Sequence, residues 1–233
     1  MLSRRLRILA TAFGPVPGAG SHSAALMAMA GGLRAELDMI TLKAEGLAYQ
    51  GRIGEARLFR VRVGGTPDER REAFGRAVRR QLEAQPYDVV HTRGPFDGSV
   101  VASLADELGY RFVYEVATFP DEAEGGQAEL EWEQRHLYCL ERAELILVQT
   151  EAAARHLGDR GFAGKVAVVP PGVDVNGFDW WPSLPNDPPR LIYLGGCGAD
   201  RDLATLLSAI RALRRRRRLQ VLIAGEPRPE ARQ

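Results

Sequence analysis

Three stretches put glycine or polar side chains where an α/β protein does its chemistry. In GPVPGAGSH, directly after the apolar run LRILATAF, Gly14, Gly18 and Gly20 permit tight backbone turns, and Ser21 or Ser23 can cap the helix opening in HSAALMAMA. A strand, a glycine-rich loop and a helix N-terminus make an anion site, because free amide groups and the helix dipole point the same way. The same glycines also suit a plain strand-to-helix turn. GPVPGAGS is neither G-x-G-x-x-G nor a Walker loop, so dinucleotide oxidoreductases and P-loop enzymes are set aside. In YDVVHTRGP, His91 and Arg93 follow a buried strand, at the end where parallel sheets bind ligands. Arg93 is the first candidate for ligand contact, and His91 is either a second or a satisfied structural residue. Glu115 stands near the end of the otherwise apolar strand YRFVYEVATF, where a carboxylate must be paired, hydrated or functional.

The elements that must position these groups alternate. Strands are expected at LRILATAF, LDMITL, ARLFRVRV, YDVVHT, YRFVYEVATF, LILVQT and KVAVVP, with a polar loop from Lys43 to Glu55. Thr66, Pro67 and Glu69 signal a capped helix start, and Phe74, Ala77, Val78 and Leu82 form that helix's inner face. The charged stretch from Asp121 to Arg142 is read as a solvated helix with Leu130, Leu137 and Leu140 on its apolar side. Thr150 caps the next helix. This order argues a doubly wound parallel sheet. A proline-rich connector, PPGVDVNGFDWWPSLPNDPP, precedes a restart at RLIYLGG, a helix carrying Leu203, Leu206, Leu207, Ile210 and Leu213, and the strand LQVLIAGE. Arg214 to Arg218 suit the helix's C-terminal dipole and solvent, with anionic lipid or nucleic acid as the alternative partner.

Composition narrows the class. The 233 residues are 45% hydrophobic, enough for a core, and 31 Lys and Arg against 30 Asp and Glu leave no global charge to attract nucleic acid. Cys139 and Cys197 match no metal or redox spacing and are read as buried free thiols. ILATAF is too short for a signal peptide, and no apolar run approaches the ~20 residues of a membrane span. A cytoplasmic protein is expected, with peripheral contact at the inner membrane face.

Taken together and in order, GPVPGAGSH, DVVHTRGP, RAELILVQTEAAARHL, VVPPGVDVNGF and LIYLGG followed by ADRDLATLL resemble the retaining GT-B glycosyltransferases of the family-4 group. FVYEVATFPDE is similar to a region of members that build polysaccharides or lipid-linked glycans. The resemblance implies an α/β, GT-B-like fold: a complete Rossmann-like doubly wound parallel sheet as acceptor domain over 1–170, a connector over 171–189, and the beginning of a second Rossmann-like, nucleotide-sugar donor domain over 190–233. It implies glycosyl transfer with retention from a nucleotide-diphosphate sugar to an acceptor that is a polysaccharide, a lipid-linked glycan or a small molecule. The nucleotide sugar is a co-substrate, and neither a metal nor an organic cofactor is expected.

Carried over by position, Gly18, Gly20, Gly195, Gly196 and Arg201 fall on the donor-phosphate side, with Arg201 where the family usually has lysine and Gly196 where it often has arginine. His22, Arg93 and Glu115 fall on the acceptor side, Arg93 at a place where many members have histidine. Glu226 follows the last strand near the nucleotide. The family's paired-glutamate motif would lie beyond residue 233, so the chain is expected to be a fragment, or to need a partner chain that completes the donor domain. A non-catalytic binding module and a GT-B sugar-nucleotide epimerase are the alternative readings.

Overall fold

The computed structural model describes residues 5–17, 26–27, 29, 32, 35–116, 127–172, 187–196 and 201–225. The chain divides into two compact units, Met1–Val175 and Asn176–Gln233.

In the first unit eight strands form one sheet: β1 (Arg7–Pro15), β2 (Glu36–Leu42), β3 (Gln50–Ile53), β4 (Ala56–Val61), β5 (Val89–Thr92), β6 (Arg111–Val116), β7 (Leu145–Val148) and β8 (Val166–Val168). Their spatial order is β3-β4-β2-β1-β5-β6-β7-β8. All neighbours are parallel except the β3–β4 pair. From β1 the chain first builds toward β2 and β4, then returns to β1's other side with β5. The order therefore reverses between β1 and β5, which makes that edge the topological switch point of the sheet.

The expected polar loop from Lys43 to Glu55 is corrected by β3, an antiparallel edge strand. Gly54 sits at φ 57 in the turn that folds it back on β4. An edge strand has one unpaired side and needs no apolar alternation, so its sequence, QGRI, carries no strand signal.

Helices α1 (Pro67–Ala84), α2 (Pro95–Leu108), α3 (Gln127–Arg142) and α4 (Glu151–Leu157) supply one core. Phe74, Val78 and Leu82 of α1 join Val101 and Leu104 of α2, Cys139 and Leu140 of α3, and Leu157 of α4. They pack on Leu9, Val90, Phe112, Tyr114, Ile146 and Val148 of the sheet. The alternate strand residues Ala10, Ala12, Leu37, Met39 and Leu58 face the other way, into a second cluster with Val16 and Leu26. Both faces of the central strands are thus covered, and these strands read as continuous apolar runs for that reason.

Helix α1 begins as expected: Thr66 accepts from the Glu69 amide at 3.3 Å, and the Glu69 carboxylate accepts from the Thr66 amide at 2.7 Å. Helix α2 starts directly after the turn carrying Arg93, with Pro95 in its first turn. The apolar face expected for α3 holds at Leu140, which is buried, and is corrected elsewhere. Leu130 and Leu137 are exposed, and the buried stripe is His136, Cys139, Leu140 and Ala143, a helical spacing of three and four that includes a histidine.

The second unit pairs β9 (Arg190–Leu194) in parallel with β10 (Gln220–Ala224), joined by α5 (Leu203–Arg214). Ile210 is its one buried apolar side chain among the described residues, while Ile192, Leu194, Leu222 and Ile223 are exposed. Among the described residues, no helix is long and apolar enough to cross a membrane.

Candidate functional site

Two buried polar clusters lie in the large sheet, at opposite ends of its strands. At the amino ends, Asp38 of β2 accepts from Arg57 Nε at 2.6 Å, from Arg57 Nη2 at 2.5 Å and from the Tyr87 hydroxyl at 2.7 Å. Every charge there is matched, and that end of a parallel sheet is not where ligands bind, so this cluster is structural.

The other cluster stands at the carboxyl ends of β5, β6 and β7, beginning beside the switch point. His91, Arg93, Glu115 and Gln149 occupy alternate positions to the residues that face α1–α4, so they share the opposite side of the sheet. Glu115 is the centre. Its Oε2 lies 3.1 Å from His91 Nε2, and its Oε1 lies 3.1 Å from Arg93 Nε and accepts from Gln149 Nε2 at 3.4 Å. The other ring nitrogen of His91, Nδ1, is buried without a hydrogen-bond partner among the described residues.

Exposure sorts the roles. The Arg93 side chain is 2% exposed and the His91 side chain 9%, against 18% for Glu115. Arg93, the first candidate for ligand contact, is therefore tied to Glu115 beneath the surface, and the carboxylate is the group that meets solvent. Burial pushes the Glu115 pKa up, but the hydrogen bond from His91, the nearby Arg93 charge and the Gln149 amide together outweigh it and hold the carboxyl below its usual range. Glu115 stays an ionised acceptor at neutral pH, suited to binding hydroxyl groups and unsuited to giving up a proton.

Directly under the switch point, on the α1–α4 side, the Thr11 hydroxyl of β1 donates to Asp97 Oδ2 of α2 at 2.6 Å. Asp97 is fully buried, which pushes its pKa up to about 7 against the lowering effect of Thr11. It ties the first turn of α2, and so the turn carrying Arg93, to β1.

In the second unit Gly195 and Gly196 follow β9, and Arg201 immediately precedes Asp202, the N-cap of α5. Asp202 Oδ1 accepts from the Thr205 amide at 3.3 Å. A glycine is required at 225: a side chain there would run into the Gly195 carbonyl oxygen, whose residue also donates its amide to Ala224. The Tyr193 hydroxyl donates to the Gly196 carbonyl at 2.7 Å and occupies the space a Gly195 side chain would need. Gly18, Gly20, His22 and Glu226 lie outside the described residues. The structure thus brings together Arg93 and Glu115 on the first unit; on the second, Gly195 and Gly196 follow β9 and Arg201 precedes the N-cap of α5. Gln149 and Tyr193 escaped the sequence reading, and only Gln149 had a signal, its position just past an apolar strand.

Among the described residues no group of three or more His, Cys, Asp or Glu side chains could hold a metal ion.

Residues 18–172 match the glycosyl transferase 4-like domain, about two thirds of the chain. The protein belongs to that family. No curated protein matches the sequence. Among solved structures, this glycosyl transferase 4-like chain is similar to sucrose-phosphate synthase from Thermosynechococcus elongatus, with a TM-score of 0.68 at 18% identity over 97% of this chain and 64% of that one. It is similar to the catalytic domain of starch synthase IV from Arabidopsis thaliana, bound to ADP and acarbose, with a TM-score of 0.71 at 12% identity over 95% and 69%. A UDP-GlcNAc 2-epimerase from Methanocaldococcus jannaschii gives 0.58 at 12% identity over 97% and 67%. At these identities the likeness shows the fold, which is the Rossmann-like α/β architecture of GT-B glycosyltransferases. The chain spans just under two thirds of the synthase's length.

Proposed function

We propose that the protein takes part in transfer of a sugar from a nucleotide-diphosphate sugar to a hydroxyl of a glycan or lipid-linked acceptor, with retention at the anomeric carbon. The observation that carries this reading is the ionised Glu115, fixed by His91, Arg93 and Gln149 at the carboxyl edge of the sheet. It is placed to accept a hydrogen bond from an acceptor hydroxyl and so orient the sugar. The second unit supplies the donor side, where Arg201 and the glycine turn after β9 bind the diphosphate. In the transfer step the acceptor oxygen bonds to the anomeric carbon as the carbon–phosphate oxygen bond breaks. The acceptor proton passes to the departing phosphate oxygen, on the same face of the sugar. Positive charge stabilises the leaving diphosphate, and neither a metal nor an organic cofactor is invoked. A structural neighbour, HepE from Anabaena, was solved in complex with UDP and glucose, which agrees with a nucleotide-sugar donor.

Exposed Ile192, Leu194 and Leu222 on β9 and β10 favour a second requirement: further polypeptide covers this small sheet and completes the donor side. Isothermal titration with UDP, GDP and their sugars tests the donor half. Saturable binding weakened by Arg201→Ala is expected. A folded chain that binds none of them contradicts donor binding by these 233 residues.

A further inference from the structure

Helix α5 ends in a concentration of charge that nothing in its own unit neutralises. Residues 203–225 contain six arginines, Arg211 and Arg214–Arg218, and no aspartate or glutamate. All six are exposed, and among the described residues none of them forms an ion pair. Exposed arginines of the first unit are matched instead: Arg76 lies 3.4 Å from Glu72, Arg79 lies 3.3 Å from Glu83, and Arg135 lies 3.0 Å from Glu131.

Two ordinary uses of this charge fall short. The dipole at the end of α5 is equivalent to roughly half an elementary charge, so it offsets little of it. Arg211 and Arg214, three apart on the helix, also repel each other. Donor phosphate is the other use. The arginines precede β10 and stand at its amino end, whereas the Gly195–Gly196 turn follows the carboxyl end of β9, to which β10 is parallel. They lie at the edge of the small sheet away from that turn.

Apolar side chains stand beside the guanidiniums. Leu207 and Ile210 line a groove of about 420 Å³ together with Arg211, Arg214 and Arg215, and Leu207 and Leu213 are exposed on the same helix. A nucleic-acid backbone would meet the arginines and leave these leucines in water. A bilayer accepts both, since headgroup phosphates take the guanidiniums and the leucines enter the boundary with the acyl chains.

We propose that the carboxyl end of α5, through Arg211, Arg214–Arg218, Leu207 and Leu213, docks the protein on the surface of an anionic lipid bilayer. This contact does not depend on the sugar-transfer reading.

The test sediments the whole chain with vesicles of phosphatidylglycerol and phosphatidylcholine or of phosphatidylcholine alone, and titrates it with a DNA duplex. Binding to the phosphatidylglycerol vesicles is expected, and added salt should weaken it. Arg214→Gln, Arg215→Gln and Arg217→Gln together should weaken it roughly a hundredfold, about fivefold for each charge near the surface. Arg214→Lys, Arg215→Lys and Arg217→Lys together should keep most of it, a retention that misfolding cannot produce. The proposal is overturned by no binding to the phosphatidylglycerol vesicles, by equal binding to phosphatidylcholine alone, or by tighter binding to the duplex. It is equally overturned if the Gln variant binds like the native protein or if the Lys variant loses binding as the Gln variant does.

Discussion

Glu115 owes its charge to three neighbours, and that dependence can be measured. Its folded pKa lies below the unfolded value, so its contribution to stability is present above the unfolded value and disappears as pH falls through the folded one. Arg93→Ala leaves a partly buried carboxylate without its cation and should cost about 3 kcal/mol at neutral pH. The deficit should shrink toward pH 4, where the variant's Glu115 takes up a proton. Urea unfolding of both proteins at pH 7 and 4 checks this, and a deficit independent of pH would mean that Arg93 acts through packing alone. Asp97 carries the opposite sign. Its folded pKa near 7 exceeds the unfolded 3.8, so the folded state holds a proton between these values and loses stability as pH rises through them, by about 4 kcal/mol in all. Asp97→Asn should abolish that slope between pH 5 and 8, as read by thermal melts. At this scale the sequence shows that Glu115 needs a partner, because a carboxylate in an apolar strand end is conspicuous. It does not show that His91 and Arg93 are buried while Glu115 meets solvent, since that depends on how three neighbouring strands stack.

Elements position these residues through a few close contacts. Gly98 of α2 makes one of them: a side chain there would lie 2.8 Å from Cys139 Sγ and 3.0 Å from Thr92 Oγ1. Because α2 carries the Arg93 turn and Asp97 at its start, Gly98→Ala should push the helix off β5 and α3. The expected cost is about 1–3 kcal/mol, seen as a lower denaturation midpoint at unchanged slope. An unchanged midpoint would show that the helix shifts freely. Buried strands and α1 were legible because their signals are local: apolar runs, a capping box, a proline at the helix start. Strand β3 was not, since QGRI pairs on one side only. On α3 the buried Leu140 was legible, but Leu130 and Leu137 were misplaced inward because burial of His136 is fixed by tertiary partners. The Tyr114 hydroxyl lies 2.9 Å from His136 Nδ1, and the Trp132 ring stacks on the imidazole.

Across the whole molecule, the sequence separates a rich first unit from a sparse second one, and the core content of the two follows suit. In the second unit the apolar residues of β9 and β10 that the sequence reads as strand signals, Ile192, Leu194, Leu222 and Ile223, are exposed. The central claim is that Glu115 orients an acceptor for sugar transfer. It is tested most directly by measuring transfer of radiolabelled sugar from UDP- and GDP-sugars to glycan and lipid-linked acceptors, by the full chain and by Glu115→Gln. The account predicts labelled product from the native protein and roughly tenfold to a hundredfold less from the variant, the range for one hydrogen bond to a charged group. No transfer from any donor, or equal transfer by both proteins, would contradict it.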